Sequence, residues 1–194
     1  HWFDEHGMPL REVLFEQQDG QDWVNFRSPG GDFADSHLLT KKDGLNSPVT
    51  RYQVQRNTQG HITEVHYCNT TGALCADCDG TWGRRYAINT VLGVVTERTY
   101  LDEKGAAMPN REGVAGRTYE YDSAGRMLAF SNVNAQGEAM FNHALVATMR
   151  CKLDAHGNRI SVSYHAPNGQ RELCHQLMAE KRTTYDTRGF ITAE

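Results

Sequence analysis

The chain has 194 residues, 39% of them hydrophobic and 23% charged, which is enough apolar material for a folded core and argues against disorder. A formal net charge of -4 leaves no positive surplus to neutralise a phosphate backbone or an anionic membrane surface, so nucleic acid is not an expected partner. No apolar run approaches the ~18 residues that span a bilayer, so membrane insertion is not expected, and five cysteines leave at least one thiol unpaired within the chain.

Residues 1–51 read as degenerate repeats. Asp4-Glu5-His6-Gly7, Ser28-Pro29-Gly30-Gly31 and Lys41-Lys42-Asp43-Gly44 have turn composition, at spacings that drift. Between the first two, Val13, Leu14 and Phe15 are consecutive rather than alternating. Glu12 to Val24 therefore offers a short helix or an elaborated loop as the alternative to strands.

Residues 52–194 form a regular array. Gly60, Gly93, Gly125, Gly157 and Gly189 recur at steps of 33, 32, 32 and 32 residues, and Gly72, Gly105, Gly137 and Gly169 follow their partners by 12. Most close an Asp/Asn-x-x-Gly sequence, as at Asp102, Asp122, Asp154 and Asp186. The Asp or Asn side chain bonds the backbone of a type I turn, and the glycine takes the left-handed conformation that closes it with a bulge. Between paired turns lie eight residues: HITEVHYC, VVTERTYL, RMLAFSNV and NRISVSYH. Their alternation marks strands of roughly 27 Å. A second strand precedes each first-series turn, alternating through Trp82, Arg84, Tyr86 and Ile88, through Arg117, Tyr119 and Tyr121, and through Met149, Cys151 and Leu153. Bends near Gly80 and Gly113 join the two strands. The expected fold is all-β: tandem antiparallel hairpins of about 32 residues forming a curved or spiralling sheet. Both ends fall inside a module, which suggests a piece of a longer protein.

The segment GRTYEYDSAGRMLAF, Gly116 to Phe130, resembles a YD repeat of the RHS family, whose motif is a tyrosine, Tyr-Asp, two residues, Gly-Arg and an apolar residue. Those are Tyr119, Tyr121, Asp122, Gly125, Arg126 and Met127. TTYDTRGFIT repeats the pattern with Phe190 for Arg, and CKLDAHGNRI keeps Asp154 and Gly157 with Leu153 for Tyr. The resemblance covers about four modules. Such repeats occur in large secreted or surface-displayed bacterial proteins, where they wind into a shell around a toxin segment, and in animal cell-adhesion proteins. The resemblance implies a non-catalytic shell, scaffold or adhesion surface, secreted or at the cell surface.

The densest candidate site is Cys68, Cys75 and Cys78 with His66, because Cys75-Ala76-Asp77-Cys78 has the spacing that lets two thiolates reach one zinc ion. Packed thiols and a disulfide are the alternatives, and Cys151 and Cys174 read as packing residues. His61 and His156 lie at turns, His165 ends a strand, and His143 and His175 stand 32 residues apart at the bends, so the histidines do not converge. Glu64, Glu97 and Glu120 read as exposed strand positions. Tyr67, Tyr100 and Tyr164 share one module position and Tyr121 and Tyr185 another, a ladder that serves packing or, if exposed, carbohydrate or peptide binding. No phosphate loop or Gly-x-Ser-x-Gly nucleophile is present. The expected function is a non-enzymatic scaffold without a catalytic residue or cofactor, facing a protein, a glycan or adjoining domains. A small metal-binding repeat protein is the remaining alternative.

Overall fold

The structure, a computed structural model, describes residues 2–3, 9–27 and 48–193. The turns expected at Asp4 to Gly7, Ser28 to Gly31 and Lys41 to Gly44 lie outside the described residues. Every regular element described is a β-strand. The chain divides into two compact units, one of residues 1–86 with 100–108, the other of residues 87–99 with 109–194.

In the first unit, β1 (Trp2–Phe3), β2 (Pro9–Gln18), β3 (Gln21–Arg27), β4 (Arg51–Arg56), β5 (Ile62–Cys68) and the start of β6 (Gly83–Asn89) pair antiparallel in chain order. The helix or loop offered for Glu12 to Val24 is thus replaced by a hairpin. Its two-residue turn is Asp19-Gly20, with φ of 51° and 76°, the backbone that an Asp-Gly pair favours between twisted strands. Phe15 stays 69% exposed, which is why apolar alternation fails to mark this strand. The core of the unit is Val24, Phe26, Val49, Val54, Val65 and Tyr67, with Tyr52 and Tyr86 packed against it.

In the second unit, β7 (Val94–Leu101), β8 (Gly116–Tyr121), β9 (Met127–Val133), β10 (Thr148–Leu153), β11 (Arg159–His165) and β12 (Glu180–Arg182) pair antiparallel in the same way. A separate hairpin joins β13 (Thr184–Tyr185) to β14 (Ile191–Ala193). Val146, Met149, Cys151 and Cys174 form the core, flanked by Met127, Phe130 and Val162.

One corner recurs through both units. At Asp122 the side-chain Oδ1 accepts the N–H groups of Ala124 and Arg126 at 2.9 Å each, while the Gly125 N–H donates to the Asp122 carbonyl at 3.0 Å. Asn57, Asn69, Asp102, Asn134, Asp154 and Asp186 make the same pattern. Gly125 has φ 75°, a conformation that costs a side-chain-bearing residue about 1–2 kcal/mol. Register irregularities at Gln55/Arg56, Glu120/Tyr121 and Lys152/Leu153 place a bulge beside each hairpin corner. The tyrosine before the Asp ties back: the Tyr121 hydroxyl donates to the Val95 carbonyl at 2.8 Å and that of Tyr185 to Arg159 at 3.2 Å.

A third corner follows the second by eight residues. Asp77 and Asn110 cap it with Gly80 and Gly113 in the left-handed conformation, but at the next two repeats Leu145 (φ 57°) and Leu177 (φ 58°) take the glycine position. A module therefore has three corners, at intervals of 12, 8 and 12 residues, or 12, 8 and 13 in the module that runs from Gly60 to Gly93.

Candidate functional site

Strand alternation puts Glu64, His66 and Cys68 on one face of β5. The Glu64 carboxylate is shared: Oε1 lies 2.7 Å from His66 Nε2, and Oε2 accepts from Arg85 Nε at 2.6 Å. Arg85 also donates to the Gly105 carbonyl at 3.0 Å. Glu64 is half-buried by these partners, which corrects its expected exposure; Glu97 and Glu120 are exposed. A carboxylate only accepts, so His66 Nε2 carries a proton. Its buried Nδ1 has no hydrogen-bond partner. Across the strand, a Cβ on Gly83 would lie 2.4 Å from the Val65 carbonyl oxygen, so only glycine allows the strands this approach.

Cys68 is buried, and Cys75 and Cys78 are half-buried; all five cysteines are free thiols. Burial raises the Cys68 thiol above its usual pKa and pushes that of Cys75 up to about 11. Both stay protonated near neutral pH. Among the described residues, no group of three or more His, Cys, Asp or Glu side chains is placed to hold a metal ion. Cys68, Cys75, Cys78 and His66 are not brought into one ligand set.

The opposite face of β5 leads into the core. The Arg84 guanidinium lies 5.6 Å from the Tyr67 ring centre and 5.8 Å from that of Tyr100, within cation–π range. Asp77 Oδ2, in a fully buried side chain, is 4.0 Å from Arg84 Nη2. Burial opposes the Arg84 charge, but a guanidinium is a very weak acid and lies against the faces of Tyr67 and Tyr100, so the group stays cationic. Burial raises the Tyr67 pKa, keeping the phenol neutral. This interior pairs opposite charges among rings, which fixes β5, β6 and the Asp77 corner to one another. Tyr67 (1% exposed) and Tyr100 (7%) are core residues, and Tyr164 is half-buried. The exposed tyrosine ladder considered for carbohydrate or peptide binding is not formed at these positions.

In the second unit, Ser163 Oγ is 2.9 Å from His165 Nε2, and His165 Nδ1 is 3.0 Å from the Gly169 carbonyl. The carbonyl can only accept, so Nδ1 carries a proton, and in the neutral ring Nε2 accepts from the serine hydroxyl. Neighbouring hydroxyls are occupied too: Ser131 with Thr148 at 2.8 Å and Ser161 with Glu180 at 2.7 Å. Hydrogen bonds from Arg182 and Ser161, with the charge of Arg171, hold the Glu180 carboxyl down to about 2. His143 and His175 sit at exposed third corners, with His143 Nδ1 3.9 Å from Glu112 Oε1. A cleft of about 810 Å³ lies among the corners at Asp154 and Asp186. Sequence reasoning missed this cleft and the capping of the third corner. Asp77-x-x-Gly80 and Asn110-x-x-Gly113, each eight residues after a second-series glycine, were the available signal for the corner.

No protein-family model matches the chain, and no curated protein sequence matches it significantly.

Proposed function

We propose that this chain is a non-enzymatic YD-like repeat scaffold, an interaction or shell segment of a larger secreted or surface protein. The observation that carries this reading is the commitment of the recurring polar residues to folding. The Asp and Asn side chains that define the period each accept two backbone N–H groups at a corner, so their recurrence serves the backbone rather than a substrate. The partner is a protein or glycan surface, or an adjoining domain.

Among the described residues, Ser163 with His165 resembles a nucleophile and base, and it supplies the test. A fluorophosphonate probe is expected to leave the chain unlabelled under conditions that label a serine hydrolase. Stoichiometric labelling lost in both Ser163→Ala and His165→Asn would overturn the non-enzymatic reading. The same reading has no resident cofactor, so metal analysis of protein purified without chelators is expected to find well under about one equivalent of zinc.

A further inference from the structure

At two first-series corners, Gly125 and Gly157, the residue after the preceding first-series glycine covers the turn, whereas Gly93 and Gly189 are open. A Cβ added to Gly125 would lie 3.6 Å from Val94 Cγ1. A Cβ added to Gly157 would meet the Arg126 side chain, 2.6 Å from Nη1 and 3.2 Å from Cδ. Arg126 thus reaches over the following corner while its Nε donates to Asp122 Oδ2 at 2.6 Å. The equivalent residue one module later is Asn158, and at Gly189 nothing lies within 4 Å of an added Cβ. Asn158 donates its amide to Asp154 Oδ2 at 2.9 Å, which reproduces the first hydrogen bond of the arginine but not its volume. The cleft of about 810 Å³ opens there, walled by Asp154, Asn158, Arg182, Asp186, Arg188 and Gly189.

Its charges are unevenly satisfied. Arg182 is paired with Glu180 at 3.1 Å and Arg188 with Asp186 at 2.9 Å. Asp154 accepts from the backbone N–H groups of His156 and Asn158 and from the Asn158 amide, and among the described residues it has no Lys or Arg partner. Those hydrogen bonds, that of the Asn158 amide first, keep its carboxyl below the usual range and therefore ionised at neutral pH.

We propose that this cleft binds a guanidinium-type cation on the Asp154 carboxylate, in the place that the Arg126 side chain occupies one module earlier. The planar group would donate N–H hydrogen bonds to the remaining lone pairs of the Asp154 carboxylate and lie against the open Gly189 corner, as Arg126 lies against Gly157. The bound group is either a free small guanidinium or an arginine side chain of a peptide. The inference does not rest on the proposed function, and the fluorophosphonate result leaves it untouched.

The experiment is a titration of the full chain with methylguanidinium, N-acetyl-arginine methylamide and N-acetyl-lysine methylamide, followed by amide chemical shifts. Saturable shifts are expected at Gly157 and Gly189 but not at Gly105, with dissociation constants in about the millimolar range for a single partly exposed charged pair. Asp154→Asn, which keeps the corner acceptor as Asn57 and Asn69 do, is expected to weaken binding about tenfold, the loss of one charge-assisted contact. Asn158→Arg, which supplies the guanidinium from the chain itself, is expected to abolish it. Tighter binding of the arginine derivative than of methylguanidinium points to a peptide side chain, and equal binding to a free cation. No saturable shift with any guanidinium, or shifts unchanged in Asn158→Arg, would overturn the proposal.

Discussion

The first unit fills its interior with rings and a charge: Phe26, Tyr52 and Tyr67 pack in contact, and Arg84 and Asp77 sit among the tyrosines. The buried core of the second unit is Val146, Met149, Cys151 and Cys174, with the rings of Phe130 and Tyr164 only partly buried against it. Both carry Asp- or Asn-capped corners, at Asn57, Asn69 and Asp102 in the first and at Asp122, Asn134, Asp154 and Asp186 in the second. The difference teaches that the corners define the period, whereas the interior of each unit is free to diverge as long as it is filled. A backbone corner is satisfied locally, within five residues, so it tolerates exchange of the neighbouring core.

Truncating the interiors should separate the units most. Tyr67→Ala removes a fully buried ring and is expected to cost about 3–5 kcal/mol, against about 2–3 kcal/mol for Met149→Ala, measured by urea unfolding. Equal costs would break the comparison. By contrast, a feature that the units share should respond equally. A Cβ on Gly83 or on Gly116 would lie 2.4 Å from a neighbouring strand carbonyl, so Gly83→Ala and Gly116→Ala are each expected to cost about 1–3 kcal/mol by forced strand separation. A large effect at one site and none at the other would show that the two strand crossings are not equivalent.

How much of this was legible in the sequence follows from how local each signal is. The Asp/Asn-x-x-Gly corners are closed by their own residues, so the period and the strands between them could be read directly. The third corner was only half visible, because Leu145 and Leu177 stand where glycine announces it at Gly80 and Gly113. The Asp19-Gly20 hairpin was obscured by the exposed Phe15 beside Leu14, although the Asp-Gly pair itself was there to read. Partners across strands were not legible at all: the Glu64 clamp on His66 and Arg85, and the Arg84–Asp77 pair, depend on register and on burial that no local pattern encodes. For the same reason the histidine of the candidate zinc set was read without its carboxylate.

Acid offers a subtler separation. The Asp122, Asp154 and Asp186 carboxyls are all lowered, chiefly by the Arg126 N–H, the Asn158 amide and the Phe190 N–H respectively, and Glu180 is lowered to about 2. All four belong to the second unit. A carboxyl whose folded pKa lies below its unfolded value contributes stability above the unfolded pKa, and that contribution is lost as pH falls through the folded pKa. Amide protection in the second unit is therefore expected to decline between about pH 5 and pH 2, and Asp122→Asn to flatten the decline. An acid response confined to the first unit would contradict this. The smallest expected effect is at the leucine corners. Leu145→Gly and Leu177→Gly relieve a left-handed side-chain-bearing residue but add unfolded-state freedom, for a net gain of about 0.5 kcal/mol in thermal or urea unfolding.

The central claim is that this is a modular array, in which each strand pair is held by its own corners and its immediate neighbours. Hydrogen exchange on Tyr67→Ala, resolved by residue, tests it most directly. The account predicts that protection falls in β4 and β5 while amides of β9, β10 and β11 keep theirs. Uniform loss of protection across all of these strands would contradict it.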